Sequence, residues 1–580
     1  MDTFDAASSS GSASVARRMA LPVLLAAALA LLHFALLQSF FEPAVTPADE
    51  NGYYATAKAL VTMGRFHTAS PDEFSFVGNM RVRNDRGEYY AKYPPGFPLL
   101  LSSVWQTLGL DAAFWVNPVA SALVIFLMFF ILFFFFCRMA DGVSENAGPP
   151  FSPVSLATLG TLILAANPSF AIFGVSQMSH PVALFFQMGG LLAAAAGFFR
   201  RSRLLAFAGG LFLGYGVAIR YADGLLLVPF AALTAWQWWK ERRFPEGALS
   251  FALGAMLPLA FLAVYHGAAF GGPFRSGYAL TEEQTGFGFG YLVKSGPVLL
   301  GSIFYSGIGI FAALAMPGLA LLWKRRREEA LVAGLWVVPL VAIYAFYYWA
   351  PDDRPYRLVR FVLAAYPFFA ALGLFLLAEL PLSKRSGRAV ILGITALVLF
   401  QEIPHTLQNL RETGDRNRNV RLMAELAQKR LPPESVLIAE EQFLGHLDIM
   451  TDFRLYPRNL FQPGAGKRAK NQAKATGPRG LQRERAQDLA KILPDRPPAE
   501  ARKFLKDFLK GHLAAGRTVA VLTPRPDEKN IQNQLSPEYK ATELGMVRVP
   551  IFPPPPPEAE ERTRELVLFQ ISALPKRAWK

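Results

Sequence analysis

The chain has one cysteine in 580 residues, Cys137, so it can form no internal disulfide and no cysteine-based metal site. It contains no His-Glu-x-x-His pair, no Walker loop and no Gly-x-Gly-x-x-Gly fingerprint, which removes the common sequence signals for zinc hydrolysis, nucleotide hydrolysis and dinucleotide redox chemistry. Its one Asn-x-Ser/Thr triplet, Asn167-Pro168-Ser169, is blocked by proline, which suits a bacterial setting better than a secretory pathway. No internal repeat is visible. Charge is scarce through the first 410 residues, where short basic clusters separate long apolar runs.

Those runs set the class. Apolar residues make up 52% of the chain, and about 20 consecutive ones are needed to cross a bilayer's hydrocarbon core. Residues 1–16 are rich in Ser and Ala and read as a disordered cytoplasmic segment. Arg17-Arg18 then precede an apolar run, Met19 to Phe41, that is too long for the core of a signal peptide and reads as a first transmembrane helix. Further spans are expected near 112–137, 153–175, 181–199, 204–219, 224–239, 248–267, 297–323, 330–349, 359–380 and 389–408, giving about 11. The stretch 94–108 is apolar but short, and reads as a juxtamembrane helix along the outer interface.

Charge sets the orientation. Arg17-Arg18, Arg200 to Arg203, Lys240 to Arg243, Lys324 to Arg327 and Lys384 to Arg388 share one side only if 94–108 does not span. That side is then cytoplasmic. The first loop, 42–111, lies outside, with the turns 176–180 and 220–223, the loops 268–296 and 350–358, and the tail 409–580. The predicted architecture is an all-α polytopic membrane domain, 17–408, followed by a small extracytoplasmic α/β domain.

From Asn409 onward Lys and Arg number 31 against 21 Asp and Glu, so the tail carries most of the chain's +15. A solvated surface is the simplest account of that excess, and no nucleic-acid partner is expected. Ser435 to Ala439, Thr518 to Thr523 and Leu566 to Ile571 read as buried strands, and Ala499 to Ala514 as an amphipathic helix. Residues 463–485 read as a flexible basic insertion and Pro553 to Pro557 as a stiff connector.

Candidates for chemistry gather at the outer ends of the spans. Asp49-Glu50 either cap the helix that follows near Tyr53 or supply a general base. Lys92, in Tyr-Ala-Lys-Tyr-Pro-Pro-Gly, either snorkels to the interface or meets a phosphate. Arg220, Arg357 and Arg360 run against the positive-inside trend, so each binds an anion, caps a helix or pairs with Asp223, Asp352 or Asp353. His180 opens a span at an outer turn, where a structural role is the simpler reading. Tyr53, Tyr93 and Tyr221 are candidates for lining a substrate.

The acidic pair after the first span, the helix Asn-Gly-Tyr-Tyr-Ala-Thr-Ala-Lys-Ala-Leu and the run Lys-Tyr-Pro-Pro-Gly-Phe-Pro-Leu-Leu resemble the GT-C glycosyltransferases. The likeness is to the branch holding protein mannosyltransferases and lipid A aminoarabinose transferases, and it covers roughly residues 15–410 and, more loosely, the α/β tail. The segment Arg354 to Phe369 is similar to a late span of the same group. The resemblance implies sugar transfer from a polyprenyl-phosphate donor to a glycan, lipid or protein acceptor. Transfer would take place on the outer face of a bacterial inner membrane, by one inverting displacement. It implies Asp49 as the catalytic acidic residue with Glu50 beside it, and Lys92 on the donor phosphate; Arg220, Arg357 and Arg360 are further phosphate candidates by their charge alone. Where that family often has a second acid at an outer turn, this chain has His180. No metal or other cofactor is therefore assigned.

A phosphate leaving group needs positive charge, and an acceptor hydroxyl needs one carboxylate, so these residue types suffice for that chemistry. The competing reading is a transporter or lipid-binding protein, for which internal repeats and midplane charges are the usual marks. A ligase or polymerase using a diphosphate-linked donor is a further alternative.

Overall fold

The computed structural model describes residues 5–46, 48–140, 150–349, 358–474, 483–493, 498–525, 532–533, 535, 538–550 and 563–574. Arg357, the connector Pro553 to Pro557 and residues 475–482 of the basic insertion lie outside them. The chain divides into two compact units. The first comprises Met1–Phe41, Trp115–Leu262 and Phe287–Arg411, and the second Glu42–Phe114, Ala263–Gly286 and Glu412–Lys580.

The first unit is helical. Among the described residues, six helices are long and apolar enough to cross a membrane: Met19–Gln38, Val116–Ala140, His180–Phe199, Glu246–Phe270, Arg327–Ala345 and Lys384–Arg430. Length and composition make this an integral membrane protein. The run expected at 153–175 is two helices, Pro153–Ala165 and Pro168–Val175, bent by 62°. Pro168 cannot donate to the preceding turn, and the Asn167 side chain instead accepts from the Phe170 amide at 3.0 Å, which starts a new helix. The run expected at 297–323 is also broken. Phe289–Ile303 passes into a π-helical turn, Phe304–Ile308, before Ile310–Arg325, with Gly309 between them at φ +57°. Arg203–Ile219 and Leu363–Ala378 are shorter apolar helices. Small residues bring the pair His180–Phe199 and Arg203–Ile219 together: a Cβ on Gly197 would sit 2.4 Å from the Ala206 nitrogen. The core of this unit holds Phe129, Phe170, Phe311, Trp336 and Tyr366. Its first helix is drawn from Asp5, within the stretch read as disordered.

The second unit joins three segments that the sequence reading kept apart. The first loop contributes the helix Ala48–Met63, a small antiparallel sheet and the helix Gly96–Leu108. That sheet has the order β1-β3-β2, from His67–Thr68 (β1), Arg81–Arg83 (β2) and Tyr89–Ala91 (β3). The tail contributes Val436–Ala439 (β4), Arg454–Pro457 (β5), Val519–Pro524 (β6), Tyr539–Pro550 (β7) and Thr563–Ala573 (β8), in the order β5-β4-β6-β8-β7. β4 runs parallel to β5 and β6, while β8 is antiparallel to β6 and β7. The alternation of a strand divides β4 between two cores. Leu437 and Ala439 pack with Met423, Leu444 and Leu447, whereas Val436 and Ile438 pack with Phe461, Leu505 and Leu509. Part of the stretch read as a flexible insertion is instead the helix Ala465–Lys474, with Ala465 and Ala469 buried and its lysines outward. Alanine, lysine and glutamine are good helix formers, and the two buried alanines give that helix an anchored face.

Candidate active site

Asp49 and Glu50 lie in the first turn of the helix Ala48–Met63, which begins before the expected start near Tyr53. The two carboxylates point to different partners. Glu50 is buried and accepts from the Thr46 amide at 2.8 Å, a bond that closes the helix's amino-terminal turn. Asp49 is half-buried and accepts the Tyr93 hydroxyl at 2.8 Å. Tyr93 is fixed from several sides. Its ring lies 4.7 Å from that of Tyr53, and a Cβ on Gly52 would sit 3.3 Å from it. Burial first, then the nearby Asp49, raises the Tyr93 hydroxyl well above its usual range, so it stays a proton donor to the carboxylate.

Lys92 is buried, which disfavours the first of its two readings, snorkelling to the interface. Its ammonium lies 2.5 Å from Glu283 and over the rings of Tyr93, at 5.3 Å, and Tyr278, at 5.5 Å. Glu283 and Tyr278 come from the segment Ala263–Gly286, whose approach needs a glycine. A Cβ on Gly277 would sit 2.5 Å from the Lys92 Cα. The sequence reading missed both residues. The signal was the acidic pair Glu282-Glu283, in the loop 268–296. Asp49, Lys92 and Glu283 are thus arranged around Tyr93 and Tyr278, with the lysine charge balanced by a carboxylate.

A second cluster forms within the helical unit around Phe361. The Arg360 guanidinium lies 4.8 Å from the rings of both Phe361 and Trp349, and that of Arg220 lies 5.8 Å from Phe361. Tyr344 stacks on the same ring at 4.6 Å. His180 is buried and stacked on Phe173 at 4.7 Å, close enough to Arg220 and Arg360 for both charges to act on it. Arg220 follows the last turn of Arg203–Ile219, and Tyr221 opens the short 3-10 segment Tyr221–Leu227, half-buried. Asp223, in that segment, accepts from Gln187 at 2.5 Å. Three of the expected outer-end residues, Arg220, Arg360 and His180, therefore meet. Among the described residues no group of three or more His, Cys, Asp or Glu side chains is placed to hold a metal ion.

The backbone matches solved membrane enzymes over nearly its whole length. ArnT from Cupriavidus metallidurans in the apo state superposes with a TM-score of 0.51 at 15% identity, over 94% of this chain and 97% of that one. The same protein bound to undecaprenyl phosphate gives 0.50 over the same shares. The Archaeoglobus fulgidus oligosaccharyltransferase in its apo form gives 0.52 at 12% identity, over 90% of this chain and 72% of that one. This is the GT-C fold. The similarity takes in most of the tail as well as the helical unit, the same reach as the sequence resemblance. No family model matches the chain, and no curated protein matches it in sequence.

Proposed function

We propose that this protein is a membrane glycosyltransferase that moves a sugar from a polyprenyl-phosphate donor to an acceptor hydroxyl by a single inverting displacement. The observation that carries the reading is the Asp49 carboxylate, held by Tyr93 in the first turn of a loop helix on a GT-C scaffold. ArnT, with the same fold, was crystallised with undecaprenyl phosphate, which suits a donor of that class. In this mechanism Asp49 takes the acceptor's proton as the acceptor oxygen bonds to the anomeric carbon. The bond from that carbon to the phosphate oxygen breaks, and the polyprenyl phosphate leaves with the electron pair. Negative charge grows on the leaving oxygens, so fixed positive charge accelerates the step. Lys92 supplies it in this reading. A phosphate would then compete with Glu283 for the Lys92 ammonium. The Tyr93 hydroxyl keeps the base oriented, and Glu50 serves the helix turn rather than the proton transfer.

The test is incubation of the purified protein with a panel of polyprenyl-phosphate sugars, with products read by mass spectrometry. Asp49→Asn keeps the side chain's size and removes its basicity. Turnover should fall by about 100- to 10,000-fold while binding of undecaprenyl phosphate stays near that of the wild type. Normal turnover by the Asn variant would remove Asp49 from the mechanism.

A further inference from the structure

The helix that carries Asp49 is gripped by the tail. Asn51 and Lys58 are seven residues apart and so lie on one face of Ala48–Met63, while Asp49, two residues before Asn51, points elsewhere. The Asn51 amide donates to the Gly445 carbonyl at 3.0 Å and to the Asp448 carboxylate at 2.9 Å. Lys58 donates to the Asp448 carbonyl at 2.9 Å and the Thr451 carbonyl at 2.7 Å, capping the tail helix Glu441–Met450 at its negative end. Buried Arg81 approaches the same Asp448 carboxylate at 3.9 Å. Gly445 packs directly against Asn51, a Cβ there lying at contact distance, 3.4 Å, from the Asn51 Cβ. The chain entering the loop helix is held as well. The Val45 amide donates to His446 Nδ1 at 3.2 Å, Thr46 donates to Asn417 at 3.1 Å, and Arg421 pairs with Glu42 at 2.7 Å.

We propose that the tail helix Glu441–Met450, through Asp448, positions Asp49 for proton transfer, so that this helix is part of the catalytic apparatus. Asp448 is a positioning residue: it binds Asn51, which fixes the turn from which Asp49 projects. The proposal rests on Asp49 being the base, as argued above.

The test measures turnover and hydrogen exchange together in the full-length protein. Asp448→Ala should speed amide exchange across residues 48–56 and lower kcat about 10- to 100-fold, the range expected when a reacting group is misplaced. The donor KM and the affinity for undecaprenyl phosphate should change by less than about twofold, since binding is not what the contact serves. Asp448→Asn keeps an acceptor oxygen for Asn51 and should recover most of the turnover. Should Asp448→Ala fail to fold, Asn51→Ala makes the same test from the loop side, and Lys510→Ala, exposed on the separate helix Pro498–Ala514, is the unaffected control. Wild-type exchange across 48–56 in the folded variant, or faster exchange with unchanged kcat, overturns the proposal. If the wild type transfers no sugar from any donor, the functional reading fails. Exchange alone then judges the clamp: faster exchange supports it, and unchanged exchange overturns it.

Discussion

His446 joins the loop to the tail in a way that depends on its protonation state. Its Nδ1 accepts the Val45 amide, so the ring must be neutral there. Burial, helped by the Arg421 charge, pushes its pKa down to about 4 from 6.5. Between those values the unfolded chain binds more protons than the folded one, so stability falls as pH drops from about 6.5 to about 4. The contribution is fully present above pH 6.5, and its loss amounts to about 3 kcal/mol once pH reaches 4. His446→Gln keeps an acceptor for Val45 and does not titrate. Its Tm should therefore fall less than that of the wild type across this window; parallel curves would show that the imidazole does not govern the change. The pair Lys92–Glu283 separates stability from donor binding in the same manner. Lys92→Ala should lower both the Tm and the affinity for undecaprenyl phosphate, because it leaves a largely buried carboxylate without its cation, at a cost of a few kcal/mol. Adding Glu283→Gln should restore the Tm but not the affinity. Recovery of both would reduce Lys92 to a structural partner.

Single elements show what sequence periodicity can reveal. β4, β6 and β8 were legible because each is an apolar run buried in a sheet, and the helix Pro498–Ala514 because its apolar residues repeat on one face. β7 was not, because it is an edge strand whose residues from Lys540 to Arg548 are exposed or half-buried, leaving no apolar run. β5 was missed because Arg454–Pro457 is four residues long and ends in proline. In the candidate site, Asp49 stood out by its place just past the first membrane exit, and Lys92 by its place before the diproline that leads back into apolar sequence. Glu283 did not, since only the packing of Gly277 against the Lys92 backbone brings its segment to that lysine. That contact gives a direct test of the element. Gly277→Ala places a methyl 2.5 Å from the Lys92 Cα and 2.6 Å from its carbonyl oxygen, backbone atoms that cannot rotate away. The segment must shift, at about 1–3 kcal/mol, and Glu283 shifts with it. Lower Tm with slower turnover is expected; a variant indistinguishable from the wild type would show that the segment can be moved without consequence.

For the whole molecule, the open question of function is on which side of the membrane the second unit lies. Its three segments come from two loops and the tail, and they share one folded body, so all three must be on the same side. The basic clusters beginning at Arg200, Lys240, Lys324 and Lys384 flank spans at their other ends, and Lys and Arg are retained on the cytoplasmic side. An odd number of crossings between Arg17-Arg18 and the tail would satisfy both conditions and put the unit outside, the side expected from the sequence. Ala514 is exposed at the end of the helix Pro498–Ala514, far in sequence from any candidate catalytic residue. In a Cys137→Ala background, which removes the only native thiol, Ala514→Cys should react with a membrane-impermeant maleimide in intact spheroplasts. Labelling that appears only after lysis would put the tail in the cytoplasm. Because the unit is one body, it would carry Asp49 and Lys92 there too, and the donor would have to be presented on the inner face.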